Sequence, residues 1–428
     1  MKTKAKKPRW LLIVSLLAVF AVLAAACGDD DDDNDASSTG TASTAATGSE
    51  AEDEPDPDSS DDSGGETASD SGGASASDSG AGSSADSESE PMPPGAPVTQ
   101  GPGGEVAVPA GEIVLSDAQV AEVRAGGHSA ALLWHTSGAF VDAVSRGARD
   151  AFGELGVEVV AETNAGFDAA QQANDVETVM AQSPDAIISL AIGPDAGAEA
   201  FRPAVDAGVQ LVFLSNVPQG YVHGEDYVSI VTDDLAAMGI TAADLLADAI
   251  GGSGEVGYIF HDAAYYVTNQ RDQAFKSWIE INYPDIEIVA EQGLADPAAA
   301  EEIASAMLTR NPGLDGIYAP WAAGPADGVL AALRAAGASD VALVTMDLDT
   351  NVSLDMVEGG NVAGIAADEA YNLGRTMAVA AAHGLLGLPA PAFAVVPAVG
   401  VTADNIVEGY QQSLATTPPQ EVLDALGG

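Results

Sequence analysis

The chain has 428 residues, 65 of them acidic and 14 basic, with a formal net charge of −51 at pH 7 and a single cysteine. So acidic a surface repels phosphates, which excludes nucleic acid as a partner, and one cysteine excludes an internal disulfide. Self-repulsion on this scale is tolerated where salt screens it, which suits a high-salt habitat.

Lys2, Lys4, Lys6, Lys7 and Arg9 form a basic start, and Trp10 to Ala26 is an apolar stretch ending in small residues, the pattern of an export signal. The stretch is short for a spanning helix. Small residues directly before Cys27, followed by Gly28 and polar sequence, resemble the lipobox of bacterial lipoproteins. That implies a signal peptide over residues 1–26 and a lipid on Cys27, although Leu23 stands four residues before the cysteine instead of the usual three. An uncleaved membrane anchor is the alternative, and both place the remainder outside the membrane. Residues 27–104 form an acidic linker of Ser, Gly, Ala, Thr, Pro, Asp and Glu, too poor in large apolar side chains to offset the entropy of ordering. Its expected reach is about 50 Å. Its "DDDDDND" run lacks the turn glycine of a calcium loop and has Gly40 at the closing position, so no metal site is expected there.

After a connecting segment over 105–127 the pattern changes. "SAALLWH" (129–135) reads as a buried strand, and Phe140, Val141, Val144, Ala148, Phe152 and Leu155 recur at helical spacing until Gly156. Strand "VEVVAE", a helix over 168–182, strand "AIISLA" (186–191), a helix over 196–207 and strand "VQLVFL" (209–214) follow. A loop is expected around "SIVTDD" (229–234). Then come a helix over 234–250, strand "EVGYIF", a helix over 268–282, strand "IEIVAE", a helix over 297–310, strand "LDGIYA", a helix over 325–336 and strand "VALVTM". Such alternation gives parallel sheets with helices on both faces. The length suits two lobes, and the late strands "VAGIAA" (362–367) and "FAVVPAVGV" (393–401) are placed to cross between them. The expected class is α/β, two Rossmann-like lobes joined by a hinge, with a ligand held in the cleft at the carboxyl ends of the strands.

Several blocks, in order, resemble the ribose- and galactose-binding type of solute-binding proteins of bacterial ABC importers (type I). They are "GARDAFGELGVEVVAETNAGFDAAQQANDVETVMAQSPDAIISL", "NQRDQAF", "NPGLDGIYAPW", "VALVTMDLD" and "YNLGRTM". The resemblance runs from His128 to Leu414. It implies a first lobe over 128–232 plus 369–397, a second over 233–368 plus 398–414, and a tail over 415–428. The function it implies is capture of a sugar or polyol and delivery to an ABC permease, by a monomer without a cofactor. The alternative is a receptor that presents its ligand to a membrane sensor.

A sugar needs planar polar groups for its hydroxyls and flat apolar surfaces for its C–H faces. The resemblance places such contacts at His135, Thr136 and Phe140 after the first strand. His135 is equally a satisfied strand-end histidine, and Phe140 also begins the helical stripe of the core. Ser215 and Asn216 follow "VQLVFL" where the ribose-binding pattern has an acid and an arginine, and Ile192-Gly193-Pro194 and Ala322-Ala323 are further departures from polar positions. Asn269 stands at a contact position. Arg271 is a contact or an internal brace, and Tyr265 and Tyr266 are candidates for the mouth. Trp321 is a stacking platform or a core cap, Asp347 matches an acid that accepts hydroxyl hydrogen bonds, and Asp368 is a contact or a helix N-cap.

Catalysis is not expected. "GHSAA" (127–131) lacks the second glycine of a nucleophile elbow and precedes its strand, no phosphate or dinucleotide fingerprint follows a strand, and the five histidines lack metal-ligand spacing. Regulators of the lac-repressor type share the expected fold, but here an export signal occupies the place of their DNA-binding helices.

Overall fold

The computed structural model describes residues 93–427; the stretch read as an export signal, Cys27 and most of the expected linker lie outside them. Strand β1 (Val108–Pro109) and helix α1 (Asp117–Gly126) precede the first run: β2 (Ser129–Trp134), α2 (Ala139–Leu155), β3 (Glu158–Asn164), α3 (Ala169–Met180), β4 (Ala186–Ser189), α4 (Pro194–Asp206), β5 (Gln210–Leu214) and β6 (Ser229–Asp233). The second run is α5 (Leu235–Ala249), β7 (Gly254–His261), α6 (Tyr266–Asn282), β8 (Ile286–Leu294), α7 (Ala300–Arg310), β9 (Gly316–Tyr318), α8 (Asp327–Ala336), β10 (Ala342–Met346), α9 (Thr350–Val357) and β11 (Val362–Asp368). The chain returns as α10 (Ala370–Leu385) and β12 (Phe393–Val396), then ends with β13 (Ala398–Val401), α11 (Ile406–Leu414) and α12 (Gln420–Leu426).

These elements make two sheets. One has seven strands in the order β1-β12-β6-β5-β4-β2-β3, all pairs parallel. The other has six in the order β13-β11-β10-β9-β7-β8, with only the β11–β13 pair antiparallel. The chain passes between them three times, after Asp233, after Asp368 and at Pro397, where β12 ends in one sheet and β13 begins in the other.

The segment read as a loop, "SIVTDD", is instead strand β6 followed by the cap of α5. Its polar residues hid it: Ser229 donates to the Pro391 carbonyl at 2.8 Å and Thr232 shares a 2.8 Å hydrogen bond with Ser215, so both hydroxyls are satisfied inside the sheet.

Residues 93–104, placed by composition in the linker, lie against the body. Ala96 packs on the apolar cluster of the second sheet. Thr99 Oγ1 donates to Asp234 Oδ1 at 2.5 Å and accepts from the Ala236 N–H at 2.8 Å. The Tyr266 hydroxyl donates to the Gln100 carbonyl, and Ala107 packs on the first sheet before β1 extends its edge. This strap orders through hydroxyl and backbone hydrogen bonds, which composition does not register. Val422 of α12 is likewise buried in the stretch read as a tail.

Two glycines set how the return helix docks. A Cβ at Gly147 would come within 1.9 Å of the Tyr371 carbonyl oxygen, and one at Gly374 within 1.9 Å of the Val144 carbonyl oxygen, so α2 and α10 pack backbone to backbone. In the second lobe Tyr258, Phe275 and Tyr318 stack, the last two with ring centroids 4.1 Å apart. Among the described residues no helix is long and apolar enough to cross a membrane.

Gly374→Ala must push α10 off α2, and chemical denaturation should show a loss of about 1–3 kcal/mol. Gly153→Ala, on α2 where an added methyl meets nothing within 4 Å, should hold stability or raise it slightly.

Candidate functional site

Parallel strands deliver their carboxyl ends to one edge of each sheet, and three crossings bring those edges together. From the first sheet the edge carries His135 after β2, Ser215 and Asn216 after β5, and Asp233 at the end of β6. From the second it carries His261 at the end of β7, Trp321 after β9, Asp347 after β10 and Asp368 at the end of β11.

In the first lobe His135 is buried, with no hydrogen-bond partner for Nδ1 among the described residues. Burial pulls its pKa down to about 3, so the ring is neutral. Its carbonyl accepts from the Phe167 N–H at 2.6 Å, and the two rings meet edge to face with centroids 5.0 Å apart. Phe167 is 54 % exposed and has φ 61°, a backbone region that a bulky residue seldom occupies. It is a site feature that sequence reasoning missed; the signal was a lone aromatic between strand and helix in "NAGFD". Thr136 and Phe140 are half-buried, and Phe140 packs against the core. The loop after β4 is braced by Gln172, whose amide donates to the Leu190 carbonyl and accepts from the Ile192 N–H, both at 2.8 Å.

Ser215, at φ 56°, turns the chain after β5. Asn216 spans the lobes: its Oδ1 accepts from the Val267 N–H at 3.3 Å, and its amide donates to the Ala191 carbonyl at 3.4 Å. Helix α6 has no side-chain cap of its own, so the amide of the other lobe satisfies one of its free N–H groups. Tyr266 reaches across likewise, packing on the first lobe's cluster.

In the second lobe Asn269 shapes the turn that opens α6, accepting from the Tyr265 N–H at 3.1 Å and donating to the His261 carbonyl at 3.0 Å. His261 holds Thr268 Oγ1 at 2.7 Å and meets the Trp321 ring edge to face at 5.0 Å. Burial, reinforced by the Arg271 charge, lowers its pKa. Each lobe thus sets a histidine against an aromatic ring at a strand tip, His135 with Phe167 and His261 with Trp321. The Trp321 indole donates to the Ala323 carbonyl at 3.1 Å.

Arg271 is buried and donates through Nη1 to Asp347 Oδ1 at 2.9 Å and through Nη2 to the Pro320 carbonyl at 3.5 Å. Burial works against its charge, but Asp347 and then Tyr318, Asp233 and Asp272 hold its pKa above the ordinary value. Asp347 has φ 67° and leaves 23 % of its side chain open. Asp272 accepts from the Tyr318 hydroxyl at 2.6 Å and the His261 N–H at 2.8 Å. Burial outweighs those bonds and raises it to about 6.

Asp233 and Asp368 are each 2 % exposed, and Asp233 Oδ1 and Asp368 Oδ2 have no partner among the described residues. Burial raises Asp233, with Arg271 opposing and Asp347 adding to the rise. Burial, then the charges of Asp233 and Asp347, raise Asp368 as well. The N-cap of α10 falls on Glu369, so Asp368 is free of that role. Asp233 was hidden with its strand. A separate cavity of about 600 Å³ is lined by Asp234, Glu369, Arg375 and Pro397 and contains none of these site residues.

Two α/β lobes whose strand tips meet across three crossings define a two-lobed solute-binding architecture. Residues 130–388 match the periplasmic binding protein domain family, and the chain belongs to it. A solute-binding protein of an Agrobacterium vitis ABC transporter, bound with alpha-D-tagatopyranose, superposes with TM-score 0.61 at 24 % identity over 68 % of this chain and 99 % of its own. One from Bacillus halodurans with bound myo-inositol gives TM-score 0.57 at 20 % identity over 67 % and 97 %. The fold is therefore that of the type I sugar-binding receptors of ABC transporters. The ABC transporter periplasmic-binding protein YphF of Escherichia coli (strain K12) is 26 % identical over 221 residues, which span 50 % of this chain and 66 % of that relative's length.

The raised carboxyl of Asp233 fixes the sign of one pH effect. An acid whose pKa rises on folding contributes stability while it holds its proton and loses that contribution as pH climbs above the unfolded value of about 4. Asp233→Asn should therefore gain stability relative to the wild type between about pH 5 and about pH 8, followed by chemical denaturation. A constant difference across that range would mean that Asp233 is ionised throughout.

Proposed function

We propose that the protein is an extracytoplasmic receptor, held to the outer face of the cell membrane by a lipid on Cys27, that captures a sugar or polyol between its lobes and delivers it to an ABC permease. The observation that carries this reading is the placement of Asp347, paired with Arg271, and of two aromatic rings, Phe167 and Trp321, at strand tips, one ring in each lobe. Hydroxyl groups are met by charge-assisted hydrogen bonds from the carboxylate and guanidinium, and C–H faces by the rings. His135 offers an unpartnered ring nitrogen to the same ligand, while Asn216 and Asn269 shape the closed arrangement.

Closure is a two-state equilibrium, and a ligand shifts it only by binding the closed form more tightly. The Asn216–Val267 hydrogen bond and the Tyr266 contact join the lobes from the protein's side, and a ligand between them adds its own contacts to both. The family consists of binding proteins for transported solutes, which fits a receptor.

A thermal-shift screen of the full chain at high salt, with D-tagatose, D-arabinose and myo-inositol among the sugars and polyols tried, should find a compound that raises the melting temperature. Asp347→Asn and Trp321→Ala should each weaken its binding by about 1–3 kcal/mol. Unchanged affinity in both variants would remove the strand-tip cleft as the binding site.

A further inference from the structure

The charges at the cleft floor do not balance. Asp233 comes from the first lobe's sheet, Asp347 and Asp368 from the second, and Arg271 of α6 is the cation among them. The other carboxylate from α6, Asp272, is already bonded by Tyr318 and His261. The nearby histidines are held neutral, and the region's single lysine, Lys276, is bonded to Glu291 at 2.6 Å.

Arg271 answers only one of the three acids. Its Nη groups are committed to Asp347 and the Pro320 carbonyl, while its Nε, Asp233 Oδ1 and Asp368 Oδ2 have no partner among the described residues. All three residues are 5 % exposed or less. A buried carboxylate without a counter-charge costs several kcal/mol, so a proton or a cation must answer each one. Burial raises the pKa of both carboxyls, with Asp347 adding to the rise in each, Asp233 adding to it for Asp368, and Arg271 opposing it, so a proton is the available answer to each in the free protein. Among the described residues no group of acids and histidines converges closely enough to hold a metal ion. An ammonium instead brings three donors and a charge to carboxylates that, once ionised, only accept.

We infer that the ligand is an amino sugar or amino polyol, whose ammonium group sits between Asp233 and Asp368 while its hydroxyls engage Asp347, Arg271 and the aromatic rings. The inference rests on the proposed capture of a polyhydroxylated solute and specifies its charge. When the ammonium enters, whatever protons these two carboxyls carry pass to the buffer and both become carboxylates, so binding of an amino ligand is coupled to proton release. A neutral sugar binds without that release.

The test is calorimetric titration of the full chain at about pH 7 with matched pairs: D-galactosamine against D-galactose, D-glucosamine against D-glucose, and an amino-inositol against myo-inositol. At least one amino member should bind about tenfold tighter than its neutral twin or better. Its heat should vary with the ionisation heat of the buffer, as proton release requires. Asp368→Asn keeps the shape and removes the charge, and should abolish both the preference and the buffer dependence. Asp233→Asn serves as a second variant should Asp368→Asn fold poorly. Neutral members that bind as tightly as their amino twins, with no buffer dependence, would overturn the inference and leave sugar capture standing. Binding by neither member of any pair, with a neutral sugar or polyol found by the thermal-shift screen, would likewise overturn the inference and leave sugar capture standing.

Discussion

A guanidinium held out of water at the meeting point of two sheets governs the rest of this structure. Arg271 cannot lose its charge, so its burial demands acceptors, and Asp347 and the Pro320 carbonyl supply them from the ends of two adjacent strands. The ion pair therefore ties α6 to β9 and β10 and fixes the loops that carry Trp321 and Asp347. Breaking one half would leave a buried charge stranded, which makes the pair a positional anchor more than a source of net stability.

Placed around that anchor, the lobes divide the work. The second lobe contributes Arg271, Asp347 and Asp368, whereas the first brings Asp233, the exposed Phe167 ring, the neutral His135 and the Asn216 amide. Asn216 and Tyr266 join the two lobes directly. The repeated histidine-and-aromatic pair, one on each lobe, places comparable flat surfaces on the two sides of the cleft.

Much of this was legible in the sequence because apolar periodicity reports burial directly. The helical stripe from Phe140 to Leu155 and the short runs "AIISLA" and "VALVTM" each became a structural element at the expected place. What escaped notice has a common cause: hydrogen bonds standing in for apolar contact. Strand β6 carries buried Ser229 and Thr232, and the strap binds through Thr99 and Gln100. The site shows the same limit. Resemblance pointed to Asp347 and Asn269, and side-chain chemistry to Trp321, but whether an amide faces a ligand or braces a turn depends on the neighbours it meets in space. Asn269 bonds His261 and Tyr265, and no pattern along the chain shows that.

The strap also bears on mechanics. Thr99 is stitched beside Asp234, the residue at which the chain first passes from one lobe to the other. A load arriving along the preceding chain acts next to the pivot, where its lever arm is shortest and its torque smallest. A strap sewn at that point leaves the opening of the two lobes to the contacts between them.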